Sequence, residues 1–326
     1  MTPLRIRTAS RLHFGLLGWG PFVRRQFGGV GLMIEAPGLE FVAEPADRFH
    51  AEGPLAGRVA PLLDRIRDRW TAPTPIVPVR VRVLQAPAEH TGLGVGTQLS
   101  LAVARLVLAA AGIERPTLEQ LALLSERGRR SGVGLHGFLH GGLIVDAGHK
   151  DPGDIPPLVS RIEFPPEWSI LTVRPPAPPG RHGRDEAAAF AGLPPVSQRT
   201  SERLCRLVLL DLLGAAAGRD LPAFGEALGE LQREVGAAFA PAQGGRFASP
   251  ESEALVADLD RLGLVGAGQS SWGPSLYAFG TPSEDEREEI AARLRTLHHL
   301  GPGDLSWTRA RNTGAEMTAS PTPRPS

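Results

Sequence analysis

The clearest chemical signature in the chain is a glycine-rich stretch that runs straight into an apolar helix, Thr91-Gly92-Leu93-Gly94-Val95-Gly96-Thr97-Gln98-Leu99-Ser100. Glycines let the backbone approach a ligand closely, and the first N–H groups of the following helix have no partner inside it. With the positive end of the helix dipole behind them, these groups suit an anion such as phosphate. A tight turn alone would also explain the glycines, but the flanking pattern favours a binding loop. Val79-Arg80-Val81-Arg82-Val83 alternates as a half-buried strand does, and Pro87 to His90 interrupts it. From Thr97 to Ala111 nearly every residue is apolar, with Leu99, Val103, Leu106 and Ala110 on one stripe. The helix is therefore expected to be buried, its N-terminus aimed at a cleft.

The loop lacks the Gly-Lys-Ser/Thr ending of a Walker loop, and no acidic residue ends a second strand at the spacing of a dinucleotide fold. Lys150, the single lysine, lies elsewhere, which excludes schemes built on a loop lysine and disfavours a lysine-bound aldehyde cofactor. Formal charge is zero and the basic residues, nearly all arginine, are scattered; that argues against a nucleic-acid partner. No apolar run reaches membrane-spanning length and Met1 to Thr8 lacks a signal-peptide core, so a soluble, cytoplasmic protein without a membrane partner is expected. Cys205, the lone cysteine, falls in a helical run where a buried, inert thiol is expected. No Cys/His metal box is present.

The elements that must position the loop read as two domains. In the first half, strands are expected at Leu4 to Ala9, Gly31 to Ile34 and Leu39 to Ala43, and a helix at Val59 to Trp70. Thr117-Leu118-Glu119-Gln120 carries a capping signal for a helix ending near Gly128. A second glycine-rich loop, Arg129 to Phe138, precedes a strand at Gly141 to Asp146. Proline-rich sequence from Asp151 to Pro166 marks the crossing, giving domains at 1–155 and 156–316 and a disordered tail at 317–326. The second half opens with a strand at Ser169 to Val173 and is then mainly helical, about Ser201 to Ala217, Leu221 to Ala238, Glu251 to Leu262 and Glu284 to Leu297. Between the last two helices lies a third glycine-rich loop, Val265 to Pro274, leading into Leu276 to Phe279.

Glycine-rich loops in this order resemble the superfamily of small-molecule kinases that includes galactokinase, homoserine kinase and mevalonate kinase. Gly92-Leu93-Gly94 matches its central loop, but Val95 and Gly96 stand where two serines belong, and no catalytic aspartate follows Ser131-Gly132-Val133-Gly134 closely. A closer resemblance, over nearly the whole chain, is to the β-ribofuranosylaminobenzene 5′-phosphate synthase family, a non-kinase branch of that superfamily. It is carried by Ser10-Arg11-Leu12-His13-Phe14-Gly15-Leu16, by Glu89 to Gln98, by Arg130 to Gly134 with Gly141 to Asp146, and by Gly268-Gln269-Ser270-Ser271-Trp272-Gly273-Pro274.

The resemblance implies an α+β fold of the GHMP type: a two-layer N-terminal domain like that of a ribosomal small-subunit protein, with a ferredoxin-like C-terminal domain. It implies a decarboxylating transferase that joins phosphoribosyl pyrophosphate to 4-aminobenzoate, releasing pyrophosphate and carbon dioxide on the way to tetrahydromethanopterin, a one-carbon carrier. A hydroxy analogue of the acid stays open, as do an ATP-dependent small-molecule kinase and a non-catalytic sugar-phosphate sensor on the same fold. Gly92, Leu93, Gly94, Val95, Gly96, Thr97 and Gln98 would then hold pyrophosphate, with Mg²⁺ brought by the substrate and no direct metal ligation by the protein. His13 and His90 are the candidates for proton handling; His136 is a weaker one. Arg11, Arg130 and Ser131 would contact substrate, Arg181 and His182 would cover the 5′-phosphate, and Ser270 and Ser271 would reach the site if the third loop folds back onto the first. The partners implied are small molecules and, by the resemblance, a second copy in a homodimer.

Overall fold

The computed structural model describes residues 2–128, 130–177, 180 and 183–319. Its first sheet is built around two long strands, β1 (Leu4–Gly18) and β2 (Phe27–Pro45). Then come β3 (His50–Glu52), α1 (Ala56–Asp68), β4 (Val79–Gln85), α2 (Val95–Ala110), α3 (Leu118–Ser125), α4 (Val133–His140), β5 (Leu143–Asp146) and β6 (Leu158–Ile162). The second half holds β7 (Ser169–Val173), α5 (Gly183–Gly192) and α6 (Gln198–Arg206), which continues through a π-helical turn at Leu207–Leu212 into α7 (Leu213–Gly218). After these come α8 (Leu221–Gln243), α9 (Pro250–Arg261), β8 (Val265–Gln269), β9 (Leu276–Gly280), α10 (Glu284–His298), β10 (Leu305–Thr308) and β11 (Glu316–Ala319).

The seven-stranded sheet runs β11-β1-β2-β4-β3, with β5 and β6 added beside β2, and the four-stranded sheet runs β10-β7-β9-β8. The fold is α+β in two domains, as expected. In β9, Leu276 and Ala278 face a core shared with Leu255, Leu259 and Leu294 of α9 and α10. Tyr277 and Phe279 face the larger core that the two halves share. There Phe14 of β1 lies 5.2 Å from Tyr277 and 6.2 Å from Phe279, ring centre to ring centre. Burying each such ring stabilises the fold by about 1.5 to 3 kcal/mol, so the first strand is fixed firmly against the second sheet.

Several expectations are corrected. The strands expected at Gly31 to Ile34 and Leu39 to Ala43 are one strand, β2, and β1 runs nine residues past Ala9 to Gly18. The second glycine-rich loop contains α4, because its glycines serve close packing: a side chain at Gly137 would overlap Met33, and one at Gly134 would meet Thr97 at 3.0 Å. The third loop begins as strand β8. The domain division is crossed twice, since β6 pairs with β5 and the chain after β10 returns to the first sheet. Met317 to Ala319, expected in a disordered tail, pair with Leu4 to Ile6 of β1. Cys205 is exposed on α6 because it falls on that helix's outer face, whereas Leu204 is buried.

Candidate active site

A cleft of about 700 Å³ opens where the first glycine loop, β1, α5, α8 and the β8–β9 turn converge. Its volume is in the roughly 300 to 1,000 Å³ range of small-molecule sites. Gly92 has φ 85° and Gly94, the residue preceding α2, has φ 71°, a left-handed conformation that glycine adopts without strain. No side chain caps α2 and no acidic residue occupies its first turn, so its N-terminal N–H groups and dipole are directed to the cleft.

The third loop does fold back onto the first. Ser270 Oγ donates to the Gly92 carbonyl at 2.8 Å and accepts from His13 N–H at 3.0 Å, clasping loop and strand together. Ser275 N–H donates to the Thr91 carbonyl, Ser271 N–H to the His13 carbonyl and Gly180 N–H to the His90 carbonyl. A side chain at Gly92 would overlap the Ser270 carbonyl, which explains the glycine there.

Three arginines surround the start of α2. Arg11 packs on Gly94, and its Nε is buried with no hydrogen-bond partner among the described residues. Burial pushes its pKa down to about 10, with Glu186 and Asp146 pulling the other way. Arg127 donates from Nε and one terminal nitrogen to Ser100 Oγ, which itself donates to the Gly96 carbonyl at 2.9 Å. Its pKa also falls to about 10, through burial first and then repulsion from Arg58 and Arg65. Arg58, ion-paired with Glu89, reaches the same glycine from α1. Arg11 and Arg127 stay charged at neutral pH, and guanidinium groups held together in a partly buried cleft favour a multiply charged anion. Among the described residues no cluster of three or more His, Cys, Asp and Glu side chains is placed to hold a metal ion.

β1 carries bulges between Thr8 and Ser10 and between His13 and Gly15. Between the bulges, Arg11 and His13 fall on one face and line the cleft, while Leu12 enters the core. His13 Nε2 lies 3.1 Å from Ser131 Oγ, which donates to Asp146 Oδ2 at 2.9 Å. That carboxylate oxygen also accepts the N–H groups of Gly132 and Val133 at the start of α4, and Oδ1 accepts Gly148 N–H. Four donors on Asp146 favour its ionised form, although burial, the largest influence, leaves its pKa raised. With Asp146 ionised, the single Ser131 hydrogen goes to it, His13 Nε2 carries the ring hydrogen, and the Nδ1 lone pair is left as acceptor. Burial, then Arg11 and Arg130, hold the His13 pKa well below the usual histidine value, so the ring is neutral at pH 7.

The other end of the cleft is aromatic. Phe190 of α5, Phe239 of α8 and Trp272 line it, with ring centres 4.8 to 5.7 Å apart. Arg130 lies 4.7 Å over Phe190 and pairs with Glu186 at 2.6 Å.

Of the expected site residues, His13, His90, Gly92 to Thr97, Arg11, Arg130, Ser131 and Ser271 share this cleft. Gln98 is drawn away, donating to the Gly134 carbonyl at 2.9 Å, and Ser270 is fully buried behind the cleft wall. His136 is also buried, bonded through Nε2 to the Pro156 carbonyl at 2.7 Å. Arg181 and His182 lie outside the described residues. Sequence reasoning missed Arg58, Arg127, Asp146, Phe190 and Phe239. Only Asp146 had a local signal, as a carboxylate ending an apolar strand.

Residues 210–299 match the family model for the C-terminal domain of GHMP kinases. The chain is 32% identical over 333 residues to beta-ribofuranosylphenol 5'-phosphate synthase of Methanothermobacter thermautotrophicus, covering 96% of this chain and 98% of that one. It is 31% identical to the protein of the same name from Archaeoglobus fulgidus, covering 96% of this chain and 99% of that one. Among solved structures, homoserine kinase from Cytophaga hutchinsonii superposes with a TM-score of 0.70 at 14% identity, over 98% of both chains. Mevalonate diphosphate decarboxylase from Staphylococcus aureus gives 0.62 at 14% identity, over 97% of this chain and 98% of that one. These structural likenesses establish the GHMP fold.

Proposed function

The chain belongs to the beta-ribofuranosylphenol 5'-phosphate synthase family, and on that premise we propose that it joins phosphoribosyl pyrophosphate to a 4-substituted benzoate, releasing pyrophosphate and carbon dioxide. The resemblance implies 4-aminobenzoate as acceptor. The relatives' name specifies a phenol product, so 4-hydroxybenzoate stands beside it as the second acceptor.

The observation that carries this reading is the basic end of the cleft, where Arg11, Arg58 and Arg127 surround the uncapped start of α2. Loss of pyrophosphate leaves a cationic anomeric carbon and a leaving group with several negative charges. Fixed N–H groups and guanidinium groups stabilise that charge without reorganising at the moment of reaction. A magnesium ion would arrive chelated by the pyrophosphate and add countercharge there.

The acceptor then forms a carbon–carbon bond through the ring carbon that bears its carboxylate. The carbon–carboxylate bond breaks, its electron pair restores the aromatic ring, and carbon dioxide leaves. No net proton is consumed. As the ring becomes cationic, the para hydroxyl or amine becomes strongly acidic, and its hydrogen can be lent to His13 Nδ1 and returned. A base of low pKa suffices for a proton that acidifies in the transition state. Ser131 and Asp146 act as positioning residues by fixing the His13 tautomer. His90, at the start of the glycine loop, is assigned to the leaving-group side. Well-held reactants supply roughly 7 to 11 kcal/mol of barrier lowering, so positioning is a large part of the task.

The test is release of pyrophosphate and carbon dioxide from phosphoribosyl pyrophosphate, Mg²⁺ and each acid in turn, with ATP turnover on a metabolite panel as control. Equal release of both products with either acid is the expected result. Silence with both acids alongside ATP consumption would replace this reading with a kinase.

A further inference from the structure

The aromatic end of the cleft has no role in holding phosphate. Phe190, Phe239 and Trp272 belong to a small apolar cluster separate from the two main cores, built where α5 and α8 meet β1. Trp272 is almost buried, whereas Phe190 and Phe239 keep part of their surface accessible, and all three line the cleft. The three rings meet edge to face, at interplanar angles of 80° to 82°. Arg130 and Phe27 cover part of Phe190 and Trp19 part of Phe239, so what is offered to a further ring is the accessible surface of Phe190 and Phe239 that lines the cleft. Wetted aromatic surface at one end of a cleft whose other end is cationic gains most when a flat apolar group covers it.

We propose that Phe190, Phe239 and Trp272 form the slot for the aromatic ring of an acceptor carboxylic acid, with the ring packed between this wall and His13. The placement rests on the transferase reading above. Phe190 is linked to His13 by short steps: Arg130 stacks on Phe190, Ser131 follows Arg130, and Ser131 Oγ bonds His13. A ring held on the wall can thus direct its para substituent to His13 and its carboxylate-bearing carbon to the ribose. The slot reads flatness and aromaticity, so an aliphatic carboxylic acid of equal charge is rejected.

Phe239→Leu and Trp272→Phe test the slot while keeping the apolar cluster filled. The Michaelis constant for the aromatic acid should rise about tenfold in Phe239→Leu, the scale of one lost ring contact, while that for phosphoribosyl pyrophosphate stays within twofold of wild type. In a binding experiment without the sugar substrate, 4-hydroxybenzoate should quench tryptophan fluorescence of the wild type, and Trp272→Phe should lose most of that quench. Wild-type turnover with an unchanged constant for the acid in a folded Phe239→Leu protein would overturn the slot and leave the transferase reading standing. No turnover in the wild type, with the quench present and lost in Trp272→Phe, would support the slot and sink the transferase reading.

Discussion

The two ends of the cleft are built in opposite ways. The basic end uses backbone: one contiguous run, Gly92 to Gly96, presents the helix start, and arginines from β1, α1 and the end of α3 converge on it. The aromatic end uses side chains alone, drawn from α5, α8 and the β8–β9 turn, which share no sequence neighbourhood. Backbone binding constrains its own residues, since a glycine there follows from φ and close approach. Side-chain binding constrains only shape, which many sequences can satisfy. The basic end should therefore fail sharply when altered, and the aromatic end gradually.

Arg127→Ala offers the largest expected effect. Removing one donor from a site of developing charge lowers kcat by about 10²- to 10³-fold, and steady-state kinetics should show kcat falling by far more than the affinity for the aromatic acid. A change confined to a Michaelis constant would mean that Arg127 only binds ground state, and the contrast between the ends would weaken.

His13→Gln, between the two ends, should lower kcat by roughly 10²-fold if the proton is handled there. Its pH behaviour is separable from its chemistry. The folded-state pKa of His13 lies below its unfolded value, so below about pH 6.5 the unfolded chain takes up a proton that the folded chain refuses. Stability is full above that pH and declines as pH falls. The substituted protein should lose this part of the decline in chemical denaturation at pH 5 to 6, and an unchanged slope would show that His13 does not carry it.

Pyrophosphate alone should stabilise the protein, because Arg11 and Arg127 are held at a cost that an anion relieves. At a hundredfold excess over its dissociation constant the gain is about 2.7 kcal/mol, measurable as a rise in melting temperature. An acid bound at the aromatic end alone should raise it less at the same free ligand concentration. Equal rises would erase the distinction.

Ser270→Ala should have the smallest effect, about 1 to 3 kcal/mol of stability from leaving its buried partners unmet. Turnover in the remaining folded protein should fall only modestly, because Ser270 holds the loop from behind.

The same division explains what the sequence disclosed. The first glycine loop, the buried α2 and the Thr117 capping box with Gln120 were legible because each is a local pattern. The second glycine run misled, because Gly134 and Gly137 allow a helix to press against Thr97 and Met33, and a glycine spared for packing looks like one spared for a turn. Ser270 was read as a ligand contact and is a clasp, since its type fits both and only burial separates them. Arg58 and Arg127 were invisible because nothing in α1 or at the end of α3 marks an arginine that points to a distant helix start. Of the aromatic wall, Trp272 falls in the third glycine-rich run, whereas Phe190 and Phe239 left no local trace.

The pairing of β11 with β1 bears on how the chain is made. On a ribosome, the strand that carries Arg11 and His13 emerges long before Glu316 to Ala319, the residues that cover its outer edge at Leu4 to Arg7. Until they arrive, that edge offers unpaired N–H and C=O groups to any neighbouring strand, including one from another nascent chain. Such a long-range pairing also forms slowly, because a large loop must close before the contact is gained. One edge of β1, at Leu4 to Arg7, therefore stays uncovered until Glu316 to Ala319 have been made, and completing it is a late event in folding.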